Sequence, residues 1–208
     1  MDNLADDILS LIHDVQVNLP KDVEEALKKA YQAERNKIAR LQLEMLLKNV
    51  ELARTLKRPI CQDTGLLTFF ISAEPRFFNK KIEEELCTAV RKATSLGLLR
   101  PNVVNPLSRN NYGDNCANKN PIIYWETGEG FEVSLLIKGA GSENVSFAKV
   151  LSPEDGIEGI KKVVLRAVME AGGKPCPPIL LGVGIGGTLD LAIKLAKKAL
   201  LRNVGQRN

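Results

Sequence analysis

Apolar residues recur at helical spacing from the start of the chain. Leu4, Ile8, Leu11, Ile12 and Val15 share one stripe, which predicts an amphipathic helix over residues 4–17. A second helix opens within LPKDVEEALKKAYQAE, with Pro20 near its first turn, where a missing N–H costs little. A longer helix runs through Ile38, Leu41, Met45 and Leu46 and ends before Arg58-Pro59. The pattern then changes. LLTFFISA is a short continuous apolar run and predicts a buried strand. KKIEEELCTAVRKATSLG predicts an amphipathic helix closed by Gly97 as its C-cap. PIIYWE and FEVSLLIKG predict two strands joined across Thr127, Gly128, Glu129 and Gly130, a hairpin pattern. SPEDGIEGIKKVVLRAVMEAGG predicts a helix with acids at its start, PILLGVGI a strand, and LDLAIKLAKKALLR a closing helix. The predicted class is α/β (mixed α+β): a helical N-terminal lobe over 1–57, then a layered strand–helix region over 58–208. The two are expected to form one continuous domain, 1–208.

Composition narrows the function. Of 208 residues, 44% are hydrophobic, so a sizeable core is available and disorder is excluded. The net charge of +4 comes from lysines spaced among glutamates on helix faces, and only 5% of residues are aromatic. No basic stripe is interleaved with aromatics, which argues against nucleic acid as a partner. MDNLADDILSLIHDV has neither a basic leader nor a continuous apolar stretch, so it does not match a signal peptide. No segment approaches the ~18 apolar residues of a membrane span. A cytoplasmic protein is expected. In a reducing compartment the four cysteines then imply metal, catalysis or burial rather than disulfides.

Four polar loops interrupt the regular pattern: CQDTG, RPNVVNPLSRNNYGDN, KGAGSEN and KPCPPILLGVGIGGT. Such loops on a rigid scaffold are where sites usually sit. Cys61 in the first and Cys176 in the last are each bounded by residues that restrict the backbone, Pro59 and Gly65 for one, Pro175, Pro177 and Pro178 for the other. They are either ligands or ordinary buried thiols. Zinc is a poor fit: there is no CxxC, and His13 is the only histidine. Gly182, Gly184 and Gly187 match the spacing of a dinucleotide-binding turn, but no acidic residue follows at ~20 positions. Two readings of that turn stay open: bare backbone approaching an anion or cluster, and close strand–helix packing. KGAGSEN places two glycines and a hydroxyl after a strand, either as N–H donors to a carboxylate or as a tight turn with Ser142 as a helix cap. Arg100 and Arg109 flank the Asn-rich loop, and arginine binds carboxylates through a bidentate fork. Cys87 shares the apolar face of Ile82, Leu86, Val90 and Ala93 and is expected to be buried. Cys116, in GDNC, is either a further ligand or an incidental thiol.

Taken together and in this order, PICQDTG, GDN, KGAGSEN and PCPPILLGVGIGGT…LAKKALLR resemble the iron–sulfur-dependent class I fumarases and the related L-tartrate dehydratases, specifically the alpha subunit of the two-subunit form. The resemblance spans nearly the whole chain. It implies a hydro-lyase of the tricarboxylic acid cycle that adds water reversibly across fumarate to give L-malate; the alternatives are an L-tartrate dehydratase subunit and a truncated, non-catalytic module that binds a partner or anion. It implies a [4Fe–4S] cluster with Cys61 and Cys176 as two of its three thiolate ligands, the third lying outside this chain. Cys116 stands where the family has a threonine and is not promoted to ligand. The open iron would bind the substrate as a Lewis acid. Gln62 and Asp63 would face the substrate, Thr64-Gly65 would shape the turn, Arg100 would bind a substrate carboxylate, and the GAGSEN turn, through Gly141, Ser142 and Asn144, would add hydrogen bonds. The resemblance also implies a beta subunit or C-terminal domain supplying the proton-transfer base, a small dicarboxylate substrate, and a homo- or hetero-oligomer.

Overall fold

A computed structural model describes residues 3–117 and 119–206. The chain forms two compact units, one built from residues up to Ile137 together with the segment from Asn203, the other from Lys138–Arg202. The mixed class expected from the pattern is the class found.

The first unit carries α1 (Leu4–Val17), α2 (Lys21–Ala33), α3 (Lys37–Leu56), β1 (Leu66–Ala73), α4 (Lys80–Ser95), β2 (Ile122–Thr127) and most of β3 (Phe131–Lys138). Its core is a sandwich of α1 and α4 with the sheet. Leu4, Ile8 and Ile12 of α1 meet Ile82, Leu86, Ala89, Val90 and Ala93 of α4 over Leu67, Phe69, Ile71 and Ala73 of β1. Each set follows its own period, 3.6 on the helices and 2 on the strand. Asn79 caps α4 by accepting from the Ile82 amide at 3.1 Å. Gly97 closes it in the left-handed region at φ +74, as the sequence predicts, and Leu98 N–H reaches back to the Ala93 carbonyl at 3.0 Å. On α3 the residues that define the helical stripe do not define its buried face. Ile38, Leu41 and Met45 are exposed, whereas Leu43, Val50 and Ala53 pack inward.

The strands form, but the expected hairpin does not. The sheet order is β2-β1-β3, so β1 lies between the two strands the turn connects. β1 runs parallel to β2, with Phe69 opposite Ile123 and Ile71 opposite Trp125. The Gly128–Gly130 link crosses the end of β1 instead of folding back. Gly128 N–H donates to the Ala73 carbonyl at 3.0 Å, and Glu74 N–H to the Gly130 carbonyl at 3.0 Å. Gly128 is required by this crossing, because an added Cβ would fall on the Ser72 hydroxyl. The reason for the order lies in β1 itself. It is the most apolar strand, and it buries residues on both faces, so it takes the centre.

The second unit carries the single turn α5 (Ala140–Glu143), α6 (Gly156–Ala171) and α7 (Leu189–Ala199). Ser152 and Asp155 form a capping box ahead of α6. The predicted strand PILLGVGI is absent: residues 179–185 carry no strand pairing. Their backbone lies instead against α7. A Cβ on Gly182 would fall on the Ala196 carbonyl, and one on Gly184 on the Ala192 carbonyl and 2.6 Å from the Ala196 amide. The glycine-rich turn therefore serves close chain–helix packing, the second of the two readings left open by the sequence.

Because Gly184 meets backbone that cannot swing aside, Gly184→Ala should destabilise the Lys138–Arg202 unit by about 3 kcal/mol. Gly186→Ala, at φ +87 with no atom within 4 Å of the added carbon, should cost only about 1 kcal/mol. Hydrogen exchange of α7 amides in the two variants compares the costs; equal protection would refute the packing role of Gly184.

Candidate functional site

The Cys61–Gly65 loop leads directly into β1, and its geometry is set by buried polar contacts. Gly65 takes φ +72, a turn that favours glycine. Thr64 is buried and joined on both sides. Gln16 of α1 donates its amide N–H to the Thr64 carbonyl at 2.9 Å, and the Thr64 hydroxyl accepts the Arg100 backbone N–H at 2.8 Å. The segment before the cysteine is held too: Ile60 N–H donates to the Gln16 carbonyl at 2.9 Å, and Asn49 Nδ2 to the Ile60 carbonyl at 2.7 Å. Asp63 Oδ1 accepts the Gly65 N–H at 3.2 Å, closing an Asx turn.

On this base the Cys61 thiol is exposed, and it accepts the Asp63 backbone N–H at 3.4 Å. This contact orients the sulfur on the turn. Gln62 is exposed beside it, and the Arg100 guanidinium reaches over the loop, its Nη1 3.4 Å from the Gln62 carbonyl. The structure thus brings together four of the residues expected from the sequence: Cys61, Gln62, Asp63 and Arg100.

Asn115 sets the position of Arg100. It is 2% exposed and makes three hydrogen bonds. Its Nδ2 donates to the Arg100 carbonyl at 2.9 Å and to Thr94 Oγ1 at 3.1 Å, and its Oδ1 accepts the Asn102 N–H at 3.0 Å. Asn102 in turn donates to the Gly65 carbonyl at 3.0 Å. Sequence reasoning did not select Gln16, Asn49, Asn102 or Asn115 as site-building residues. For Gln16 a trace exists: it continues the buried i, i+4 stripe of Leu4, Ile8 and Ile12, and an amide at a core position needs a partner. The Asn102 and Asn115 contacts link separate loops and leave no periodic trace.

The other four expected residues, Gly141, Ser142, Asn144 and Cys176, lie in the second unit. The α5 turn is clamped by charge. Lys138 Nζ binds the Ser142 carbonyl at 2.9 Å, Glu143 Oε2 at 2.8 Å and Ser146 Oγ at 2.8 Å, and Lys197 Nζ binds Glu143 Oε1 at 2.8 Å. Burial pushes the Glu143 carboxyl up, but the two lysines outweigh it and hold it below its ordinary value. Ser142 Oγ donates to the Gly139 carbonyl at 2.9 Å, so it serves the turn. Gly141 packs close to the next loop: a Cβ there would stand 3.1 Å from the Lys174 carbonyl. Asn144 is exposed. Cys176 is exposed and sits in the left-handed region at φ +55, with its N–H bonded to the Gly173 carbonyl at 3.2 Å. A non-glycine residue held there carries strain, and such strain gathers at functional positions.

Among the described residues no group of three or more His, Cys, Asp or Glu could hold a metal ion. Cys61 in the first unit and Cys176 in the second each present a donor of the type that ligates iron–sulfur clusters: each thiol is exposed, each stands on a constrained loop, and Cys61 accepts an N–H. Cys87 is not buried in the α4 core as expected. It lies at the edge of the apolar face, half-buried, beside Cys116. No helix among the described residues is long and apolar enough to cross a membrane.

A family model described as fumarate hydratase (fumerase) matches residues 5–208. A Methanocaldococcus jannaschii protein provisionally named L(+)-tartrate dehydratase subunit alpha is 44% identical over 99% of this chain and 74% of its own length. A Geobacillus stearothermophilus protein provisionally named class I fumarate hydratase is 36% identical over 100% of this chain, which spans 43% of that protein. The L(+)-tartrate dehydratase subunit alpha of Escherichia coli K12 is 32% identical over 93% of this chain and 65% of its own length.

Asn115→Ala should cost about 2–3 kcal/mol in urea denaturation, because it strands the Asn102 N–H and the Arg100 carbonyl. A loss below about 0.5 kcal/mol would show that Asn115 does not hold the loop. Cys176→Gly should raise the stability of the metal-free chain by roughly 1 kcal/mol by relieving the left-handed strain. A lower unfolding midpoint in that variant would remove the strain argument.

Proposed function

The chain belongs to the fumarate hydratase family, and we propose that it is the alpha-subunit part of a hydro-lyase that adds water reversibly across fumarate to give L-malate. The observation that carries this reading is the Cys61 loop: an exposed thiol receiving an N–H, on a turn pinned by buried side chains, with an arginine drawn across it. The relatives named as alpha subunits support a beta subunit as partner, and a cytoplasmic setting accords with the reading.

Cys61 and Cys176 would hold a [4Fe–4S] cluster in part, with a third thiol from outside these 208 residues. When bound, the cluster supplies Lewis acidity toward the substrate's hydroxyl and carboxylate. The chain's own residues do the rest of the positioning. Arg100 offers a guanidinium fork to a carboxylate, and its backbone is fixed at both N–H and C=O, so the side chain starts from a defined place. Asp63 has one oxygen in the Asx turn, and its carboxylate, with the Gln62 amide, would orient polar groups of the substrate without displacing the thiolate. The α5 turn, through Gly141, Ser142 and Asn144, would present further hydrogen bonds to the dicarboxylate. The base that takes the proton from carbon would come from the beta subunit.

A second reading, L(+)-tartrate dehydration, is favoured by the name of the relative that is 44% identical over 99% of this chain. The two substrates differ only in hydroxyl groups. Anaerobic assay of the reconstituted enzyme with its beta partner decides between them. We expect kcat/KM for fumarate or L-malate to exceed that for L(+)-tartrate at least about tenfold, a difference of about 1.4 kcal/mol in transition-state stabilisation. The reverse ratio would install the second reading, and inactivity on both would leave the non-catalytic module.

In that enzyme Asp63→Asn and Arg100→Ala should lose turnover roughly 30-fold or more while the visible spectrum of the cluster stays intact. Cys61→Ser should lose both together, because a hydroxyl stays protonated and is a poor iron ligand. Bleaching in Asp63→Asn, or normal kinetics in Arg100→Ala, would contradict the assigned roles.

A further inference from the structure

Two of the four cysteines take no part in the site above, and the fold places them against each other although they are far apart in sequence. Cys87 is on α4, and Cys116 is in the loop after Asp114-Asn115. Cys116 Sγ donates to the Cys87 carbonyl at 3.2 Å. The pairing is secured from both sides. Asp114 Oδ1 accepts the Cys116 N–H at 3.0 Å, and Asp114 Oδ2 binds Arg91, one turn beyond Cys87 on α4, at 3.1 Å. The loop is thus tied to the helix at the level of the two sulfurs. Both residues are half-buried: accessible to a small reagent, yet fixed in orientation.

We propose that Cys87 and Cys116 form a peroxide-oxidisable dithiol, a modification site at which a hydroperoxide is reduced while the two thiols close into a disulfide. Cys87 is the attacking thiol. The Cys116 side chain beside it draws its pKa down to about 7, burial opposes this, Arg91 assists, and Asp114 and Glu83 oppose. Glu83, a turn earlier on α4, is itself engaged by the Trp125 indole N–H at 3.2 Å. Cys116 is the resolving thiol, held protonated above its ordinary range by the Cys87 side chain beside it and by burial.

The steps balance without a further reagent. The Cys87 thiolate attacks one oxygen of hydrogen peroxide, the O–O bond breaks, and the departing hydroxide leaves as water after taking a proton. Cys87 is then a sulfenic acid. Cys116 loses its proton, its sulfur attacks the Cys87 sulfur, and the S–O bond breaks to release a second water. Each sulfur gives up one electron, and the peroxide accepts the two. The product would tie α4 covalently to the loop carrying Asn115, the residue that fixes Arg100.

The test uses the full chain, reduced and then treated with equimolar hydrogen peroxide, quenched with N-ethylmaleimide, and digested without reductant for mass spectrometry. A peptide pair linking Cys87 to Cys116, lighter by two hydrogens than the separate peptides, is expected. Cys116→Ser should abolish the link and leave a sulfenic acid at Cys87 that dimedone traps. In Cys87→Ser, Cys116 should emerge as the maleimide adduct. Iodoacetamide at pH 7 should label Cys87 at least about tenfold faster than Cys116 in the reduced chain. Recovery of both as maleimide adducts after the peroxide is consumed would overturn the proposal, as would equal labelling rates. Disulfides confined to Cys61 or Cys176 would do the same.

Discussion

The first unit depends on the double-sided burial of β1. Leu67, Phe69, Ile71 and Ala73 are at most 2% exposed, and Phe70 and Thr68 on the other face are buried as well. A strand so apolar cannot lie at an edge, where one row of backbone groups and part of each face meet water. It therefore recruits a strand on each side and the α1–α4 layer above. Everything at its ends inherits that rigidity. At its start stand Thr64 and Gly65, both buried, and then the exposed thiol of Cys61. At its finish stands the Gly128–Gly130 crossing. The cysteine loop is the surface end of the most deeply buried element in the unit.

Hydrogen bonds convert that rigidity into a defined loop. Apolar burial fixes where β1 runs but says nothing about the dihedral angles of Cys61 or Asp63. Those follow from Gln16, Asn49, Asn102 and Asn115, each donating to or accepting from backbone. Of these, Gln16 and Asn115 are buried, where an unpaired amide is costly. The second unit reaches the same end differently. There, Gly182 and Gly184 let one chain segment approach α7 backbone to backbone, and the Lys138–Glu143–Lys197 cluster clamps the α5 turn.

The helices and their core faces were legible in the sequence wherever period and burial agree, as on α1 and α4. They were less legible on α3, where two apolar stripes compete and Leu43, Val50 and Ala53 win over Ile38, Leu41 and Met45. The link at Thr127–Gly130 was recognisable as a turn, but turn chemistry is local and sheet order is not. Only the apolarity of β1 indicates that it inserts between β2 and β3. PILLGVGI carries the composition of a strand, yet its glycines are consumed by the approach to α7, a contact that no window of sequence contains. Among the site residues, those on one loop were found together because neighbours in sequence stay neighbours in space. The amides that pin them come from α1, α3 and the 102–115 loop, and single-sequence patterns are silent on such long-range polar pairs.

The four cysteines show how local surroundings divide one residue type into two chemistries. Cys61 and Cys176 are exposed, and the chain invests order in each before any ligand arrives: an N–H on the first sulfur, a left-handed backbone under the second. Ordering a loop of this size on binding would cost about 1–2 kcal/mol per residue in backbone freedom. A loop already pinned by Gln16 and Thr64 has met that cost through folding, so more of the binding energy remains for the ligand. Cys87 and Cys116 are placed side by side instead, with the Cys116 thiol on the Cys87 carbonyl and the loop tied to α4 through Asp114 and Arg91. Asn115 belongs to both arrangements: it is adjacent to Cys116 in sequence and bonded to Arg100 in space. One buried amide thus stands both next to the second pair and under the arginine that reaches over the first loop.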